Sequence, residues 1–320
     1  MRALICDHSG GIEGLRTGEL VEPEPGPGAV LIKVEAAAAT FADTLMACDD
    51  HQTEPFAPGR EVAGTVVVVN QARGISPGDR VCGLLPHGGM AEKAVVAAES
   101  VTRLPDAVPF QVGAVLPATY GAAYHALADR GALQEGETLL VLGAAGGMGT
   151  AAVQIGAALG ALVVAAVSSD EKARFIADAG ADEIIRCDAA PLRDGVDELT
   201  DGKGVDVVFD PVGAEMTEQA LRSTRRGGRL LVIGFAGGSI PEIPLDLLLS
   251  RGVAVVGACW EGFASEQAER RSENTRTIVE WVASGRLKPP IRRTFSLGAA
   301  KEALHLVADR KATGRVIVVP

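Results

Sequence analysis

Between residues 138 and 260 the chain alternates short apolar runs with stretches of helical period. The runs TLLVL (138–142), ALVVAAV (161–167), EIIR (183–186), VDVVF (205–209), RLLVI (229–233) and VAVVGA (253–258) are too short for helices and rich in β-branched residues. They predict strands. Helices are predicted between them over Met148–Leu159, over Glu171–Ala179 with Asp170 as N-cap, in part of Pro191–Thr200, and over Ala214–Ser223. Six strands with alternating crossovers predict a doubly wound parallel sheet in an α/β domain. The stretch Thr138–Ser169 holds no charged residue and in length would pass for a membrane span. Its glycines at 146, 147, 149, 156 and 160 and its β-branched end instead predict a strand, a turn, a small-residue helix and a second strand inside that core.

The first 110 or so residues follow a different rhythm. Apolar segments such as Ala29–Val34, Val62–Val69 and Glu92–Val96 are separated by turn chemistry in EPEPGPG (22–28), APG (57–59), SPGDR (76–80) and HGG (87–89). This spacing predicts a small, mostly β domain. After residue 260 come an amphipathic helix, Ser265–Ser284, a helix over Leu297–Asp309 and a strand over Gly314–Val319. That tail is too short for a domain, so it is expected to pack back on the N-terminal one. The division drawn is 1–116 with 261–320, and 117–260.

Among 320 residues, 41 Asp and Glu outweigh 30 Lys and Arg, for a net charge of −11. With no basic block, nucleic acid is not an expected partner. Five cysteines lie far apart without a CxxC pair, which implies neither a disulfide framework nor a structural zinc site. MRALICDHSG turns polar too early for a signal peptide, so the cytoplasm is the expected compartment and no membrane association is expected.

The first strand of the α/β domain runs into GAAGGMG (143–149) and directly into a helix. At GxGxxG spacing the three positions are Ala144, Gly146 and Gly149, with alanine in place of the first glycine. Strand before, helix after and a second strand next give the context in which such a turn holds a pyrophosphate on unpaired N–H groups. Candidate contacts are Ala145, Gly146, Gly147, Met148 and Gly149. About 20 residues further on, an NAD site carries an acid for the ribose hydroxyls. Here Ser168 and Ser169 stand at that point with Lys172 close behind, which favours the 2′-phosphate of NADPH, although Asp170 and Glu171 dilute the positive field. Asp210–Gly213 and Gly234–Ala236 end strands four and five, where ligands bind a parallel sheet; Asp210, Val212, Gly234, Phe235 and Ala236 are assigned to the cofactor.

LPATYGAAYHALADRGALQEGETLLVLGAAGGMGTAAVQIGAALGA (116–161), GVDVVFDPVG (204–213), GGRLLVIGFAGG (227–238) and ATGRVIVV (312–319) resemble the quinone oxidoreductase branch of the medium-chain dehydrogenase/reductase superfamily. TFADTLM (40–46) and APGREVAGTV (57–66) are similar to it as well. The resemblance implies a GroES-like β domain, a Rossmann domain, a cofactor cleft at their junction, and a homodimer formed through the last Rossmann strand. Zinc-dependent alcohol dehydrogenases of the superfamily hold the metal with a Cys where Thr40 stands and a His just before the acid matching Glu61; here that His is Arg60, and no metal is expected. Arg60 and Glu61 are expected to form an ion pair.

By the same resemblance Thr119 hydrogen-bonds near the nicotinamide or its ribose, or caps the helix that follows it. Tyr120, one of two tyrosines, is a candidate proton donor or a packing residue. Cys187 stands where relatives carry a tyrosine near the 2′-phosphate, and Arg186 is the candidate replacement. Thr40, Phe41, His51 and Trp260 are the candidate substrate contacts. The function expected is metal-free hydride transfer from NADPH to a small electrophilic acceptor, a quinone first. The alternatives are reduction of an activated alkene (an enone, 2-alkenal or enoyl thioester), or nucleotide binding without turnover.

Overall fold

The computed structural model describes residues 1–7, 10–47 and 55–320. Two units divide it: Met1–Gly121 with Ala264–Pro320, and Ala122–Phe263. The sequence had suggested divisions at 116/117 and 260/261.

In the second unit six strands form one sheet: Thr138–Val141, Leu162–Val167, Glu183–Arg186, Val205–Asp210, Thr224–Val232 and Ala254–Gly257. Their spatial order is third, second, first, fourth, fifth, sixth. Every pairing is parallel, so this is the doubly wound sheet that the apolar runs predict. The order reverses between the first and fourth strands, the place where such sheets bind ligands beyond their carboxyl ends. Helices Gly147–Ala158, Asp170–Asp178, Leu192–Thr200 and Ala214–Arg222 make the crossovers. The first of them is buried along most of its length, which explains its small uncharged residues. A Cβ added at Gly156 would come within 2.5 Å of Leu139 Cδ2, so helix and strand touch there. No helix among the described residues is long and apolar enough to cross a membrane.

Several expected boundaries move, among them the start of the fifth strand, at Thr224 rather than Arg229. Ser169, not Asp170, is the N-cap of Asp170–Asp178, because its hydroxyl accepts from Lys172 N at 3.3 Å. The expected helix Ser265–Ser284 starts at Ala268, since Gln267 leaves helical geometry and Trp260–Glu266 forms a helix of its own. Arg271 bridges the break: its guanidinium turns back to the Ala264 carbonyl and satisfies the end of the shorter helix.

The first unit is built on a seven-stranded sheet in the order Ile291–Ser296, Arg315–Val319, Ala29–Ala39, Glu61–Asn70, Arg80–Leu84, Val101–Arg103, with Lys93–Ala97 also paired to Ala29–Ala39. The C-terminal strand lies antiparallel to Ala29–Ala39, so the tail does complete the N-terminal β unit. Strand Ala29–Ala39 runs five residues past its predicted end at Val34. Ala36 to Ala39 are all buried although successive residues face opposite sides, so both faces of this strand are covered.

Candidate active site

The glycine turn of the second unit opens on a helix start that no side chain caps. Gly146 is the N-cap of Gly147–Ala158 without a side-chain hydrogen bond, and the first turn holds no acid. Its leading N–H groups are therefore offered to a ligand. Gly143, not position 144, takes the left-handed conformation, with φ 57°. That is why Ala144 is tolerated where the fingerprint has glycine. At Gly149 a Cβ would stand 2.3 Å from Gly143 O and 2.6 Å from Ala144 Cα, so only glycine lets the helix close on the turn. Thr150 fastens the same turn by donating to Gly146 O at 2.8 Å. These features fit a dinucleotide pyrophosphate beside Ala145, Gly146, Gly147, Met148 and Gly149.

The turns after strands four and five are joined to each other. The Asp210 carboxylate accepts from Val212 N and Gly213 N, each at 2.9 Å, and from Thr217 Oγ1 at 2.6 Å. These three bonds shape the loop, which makes Asp210 a positioning residue for the backbone around it. Ala236 N donates to Pro211 O and Gly237 N to Val212 O, which holds Gly234, Phe235 and Ala236 against the first loop. Val212 also lies beside the glycine turn, since a Cβ on Gly143 would meet its Cγ2 at 3.1 Å. Phe235 is 40% exposed at this mouth.

At the end of strand two, Ser168 is exposed and Lys172 Nζ donates to its Oγ at 3.1 Å, while Ser169 serves the helix cap. Arg186 ends strand three opposite Val167. Its guanidinium is held by Asp188 and Asp170.

In the first unit the centre is Glu61, which is fully buried. Its Oε2 accepts from Ala118 N at 3.0 Å and Thr119 N at 2.9 Å; its Oε1 accepts from Thr119 Oγ1 at 2.7 Å and Arg315 Nη2 at 3.2 Å. Burial pushes the Glu61 carboxyl above its usual range, and Arg315 with the Thr119 and Ala118 donors opposes that. The partner of Glu61 is thus Arg315 rather than the expected Arg60. Thr119 is not a cap; it lies inside the π-helical turn Leu116–Tyr120, a geometry frequent at functional sites. Because its proton goes to Glu61, the Thr119 oxygen can meet a ligand only as an acceptor.

Thr40 caps helix Phe41–Met46: its hydroxyl donates to Asp43 Oδ2 at 2.6 Å and accepts from Asp43 N at 3.3 Å. Asp43 is buried and also accepts from Gly59 N at 3.1 Å through Oδ1. Burial raises its carboxyl to about 6, against the Thr40 hydrogen bonds that hold it down. The Thr40 hydroxyl is thus engaged within its own capping box, which leaves it one acceptor position for a substrate. Tyr120 is wholly buried, and burial drives its hydroxyl well above the ordinary tyrosine range, which favours packing of its two readings. Phe41 is 38% exposed, whereas Trp260 is 8% exposed and packs beside Phe263 at 5.7 Å between ring centroids. His51 lies outside the described residues. Arg315 escaped the sequence reading, although a lone cation heading the apolar run RVIVV was its signal.

A doubly wound sheet with an open glycine turn at its switch point and hydroxyls beside a lysine at the adenosine rim is the nucleotide half of a dinucleotide-dependent oxidoreductase. Known proteins agree. Residues 147–283 match the family described as Zinc-binding dehydrogenase, and residues 26–106 match the Alcohol dehydrogenase GroES-like domain. The chain is 35% identical over 307 residues to quinone oxidoreductase-like protein 2 of Bos taurus, covering 94% of this chain and 88% of that protein. Among solved structures, the Escherichia coli quinone oxidoreductase complexed with NADPH is 26% identical with a TM-score of 0.93, and a mycobacterial protein complexed with NADPH is 31% identical with a TM-score of 0.92; both matches cover 100% of each chain. The chain belongs to the medium-chain dehydrogenase/reductase superfamily, in its quinone oxidoreductase branch.

Proposed function

We propose that this protein is an NADPH-dependent oxidoreductase that transfers hydride to a quinone without a metal ion. The observation that carries the metal-free part is the donor set around Glu61. Where zinc-dependent relatives by resemblance present Cys and His, this chain has Thr40, bound to Asp43, and the cation Arg60, while Glu61 is engaged by four donors including Arg315. Among the described residues no group of three or more His, Cys, Asp or Glu side chains is gathered in a way that suits a metal ion.

Bound NADPH supplies the hydride. The glycine-turn N–H groups hold the pyrophosphate, Ser168 and Lys172 receive the 2′-phosphate, and Val212 and Phe235 give the mouth apolar walls. By resemblance Thr119 meets the nicotinamide or its ribose, as an acceptor held in place by Glu61. With Tyr120 buried, water is the source of the proton that completes reduction.

The acceptor is tested on chelator-treated protein by following NADPH oxidation with a quinone, an enone and an enoyl thioester. Fastest turnover with the quinone, unchanged by chelation, is expected. Preference for the thioester, or activity restored only by zinc, overturns the reading. NADPH binding without consumption on any acceptor favours a non-catalytic relative.

A second copy of the chain is the proposed partner of the last Rossmann strand. Ala254–Gly257 is a sheet edge, Val255 on it is 37% exposed, and Leu245 and Leu249 on the preceding helix are 77% and 86% exposed. An apolar edge of this kind is stabilised by pairing across a two-fold axis. Light scattering at the mass of a dimer, lost in Val255→Asp, is expected. The described cysteines, Cys6, Cys82, Cys187 and Cys259, are free, which supports a reducing compartment such as the cytoplasm.

A further inference from the structure

Arg186 is the cation that the sequence offered to the 2′-phosphate, yet its fork is already filled. Its Nε donates to Asp188 Oδ1 at 2.8 Å and its Nη2 to Asp188 Oδ2 at 2.7 Å, a bidentate pair, while Nη1 reaches Asp170. Asp170 is the first residue after the cap Ser169, on the helix that carries Lys172. Cys187 N donates to Val167 O at 2.9 Å, which brings the end of strand three beside Ser168. At this rim Arg186 is paired with two carboxylates, Asp170 and Asp188, while Lys172 reaches Ser168.

A guanidinium fork binds a carboxylate or a phosphate in the same two-point geometry, so a carboxylate that occupies it competes with the phosphate. Asp188 lies below the usual carboxylate range mainly through its hydrogen bond to Arg186, the other side of the same competition. Arg186 is 28% exposed, Asp188 42% and Asp170 76%, so the three are held at the surface by charge-assisted hydrogen bonds and solvent reaches the fork.

We infer that Asp170 and Asp188 set nucleotide specificity by withholding Arg186 from the 2′-phosphate of NADPH, which narrows the preference for NADPH over NADH. The inference rests on the NADPH reading above and concerns binding alone, so it does not depend on the acceptor. Removing the two carboxylates frees the fork without touching the pyrophosphate turn or the lysine. NADH, which has no 2′-phosphate, is indifferent to it.

The test is direct titration of the full chain with NADPH and with NADH, followed by nucleotide fluorescence, for wild type, Asp170→Asn, Asp188→Asn and the double variant. The double variant is expected to bind NADPH about three- to tenfold more tightly, the range that one or two exposed ion pairs command, and NADH within about twofold of wild type. The gain should shrink with added salt and vanish when Arg186→Ala is introduced. Unchanged NADPH affinity, equal tightening of both nucleotides, or a gain that survives Arg186→Ala overturns the inference. The last of these outcomes would mean that the carboxylates act only by repulsion. Wild type that binds neither nucleotide overturns the NADPH reading itself and this inference with it.

Discussion

Replacing Arg315 by Met takes the cation away from a carboxylate that has no water to turn to. The Glu61 side chain is 0% exposed and that of Arg315 6%, with the charged atoms 3.2 Å apart. Breaking a buried pair from one side costs roughly 3–5 kcal/mol, because the remaining charge is left uncompensated. Three other donors still reach Glu61, so about 3 kcal/mol is expected. The loss depends on pH in a definite direction. Arg315 is the largest influence opposing the upward push of burial on Glu61, so its removal raises that carboxyl further. A raised folded-state value means that the folded chain binds more protons, and stability falls as pH rises from the unfolded value near 4.3 through the folded one. The deficit of Arg315→Met is therefore greatest at pH values above the raised folded-state titration and fades below about 4.3, where both states become protonated. Urea unfolding across that range measures it. Trp281 on helix Ala268–Ala283 reports the unit that holds the pair once Trp260→Phe removes the other tryptophan. In a Glu61→Gln background the same substitution should cost about 1 kcal/mol or less, because the buried charge is gone. An equal cost in both backgrounds, or a deficit that ignores pH, would refute the reasoning.

Asp43, raised to about 6 from an ordinary 3.8, lowers stability as pH climbs through that window, by about 3 kcal/mol in all. Asp43→Asn should flatten that part of the urea-midpoint profile and leave the slope that Glu61 contributes. Gly149→Val forces a branched side chain where even a Cβ is 2.3 Å from a backbone oxygen, so NADPH affinity should fall by more than about tenfold, at a stability cost of roughly 1–3 kcal/mol, in a titration paired with unfolding. Lys172→Ala together with Ser168→Asp removes the cation and adds a charge where the two residues meet at 3.1 Å. The KM for NADPH should rise more than that for NADH; equal effects would detach Ser168 and Lys172 from the 2′-phosphate.

The Rossmann sheet was legible because strands buried on both faces must be apolar throughout and short, a pattern that local sequence carries. The strand Ala29–Ala39 was only half legible: alanine has no β-branched signature, so Ala36–Ala39 gave no sign that both faces are covered. The glycine turn was found, but which glycine adopts the left-handed conformation depends on φ at Gly143, which spacing does not report. Thr40 and Asp43, three residues apart, already had the spacing of a capping box, yet the resemblance drew attention to Thr40 as a ligand contact. Glu61 and Arg315 are 254 residues apart, and neither periodicity nor motif couples positions at that distance. The adjacent Arg60 looked like the natural partner, but it sits in a bend before the strand that begins at Glu61, and its charge acts on the Asp43 carboxyl.

Because Arg315 belongs to the strand Arg315–Val319, the acid that orients Thr119 stays uncompensated until that strand has left the ribosome. The continuous segment Ala122–Phe263 has no such debt and can finish its own sheet first. Birth order is thus fixed by chain layout: the nucleotide-holding half matures early, and the half bearing Thr119 waits for the closing strand. Shortening the chain before Arg315 should therefore leave a folded Rossmann unit attached to an unfinished companion.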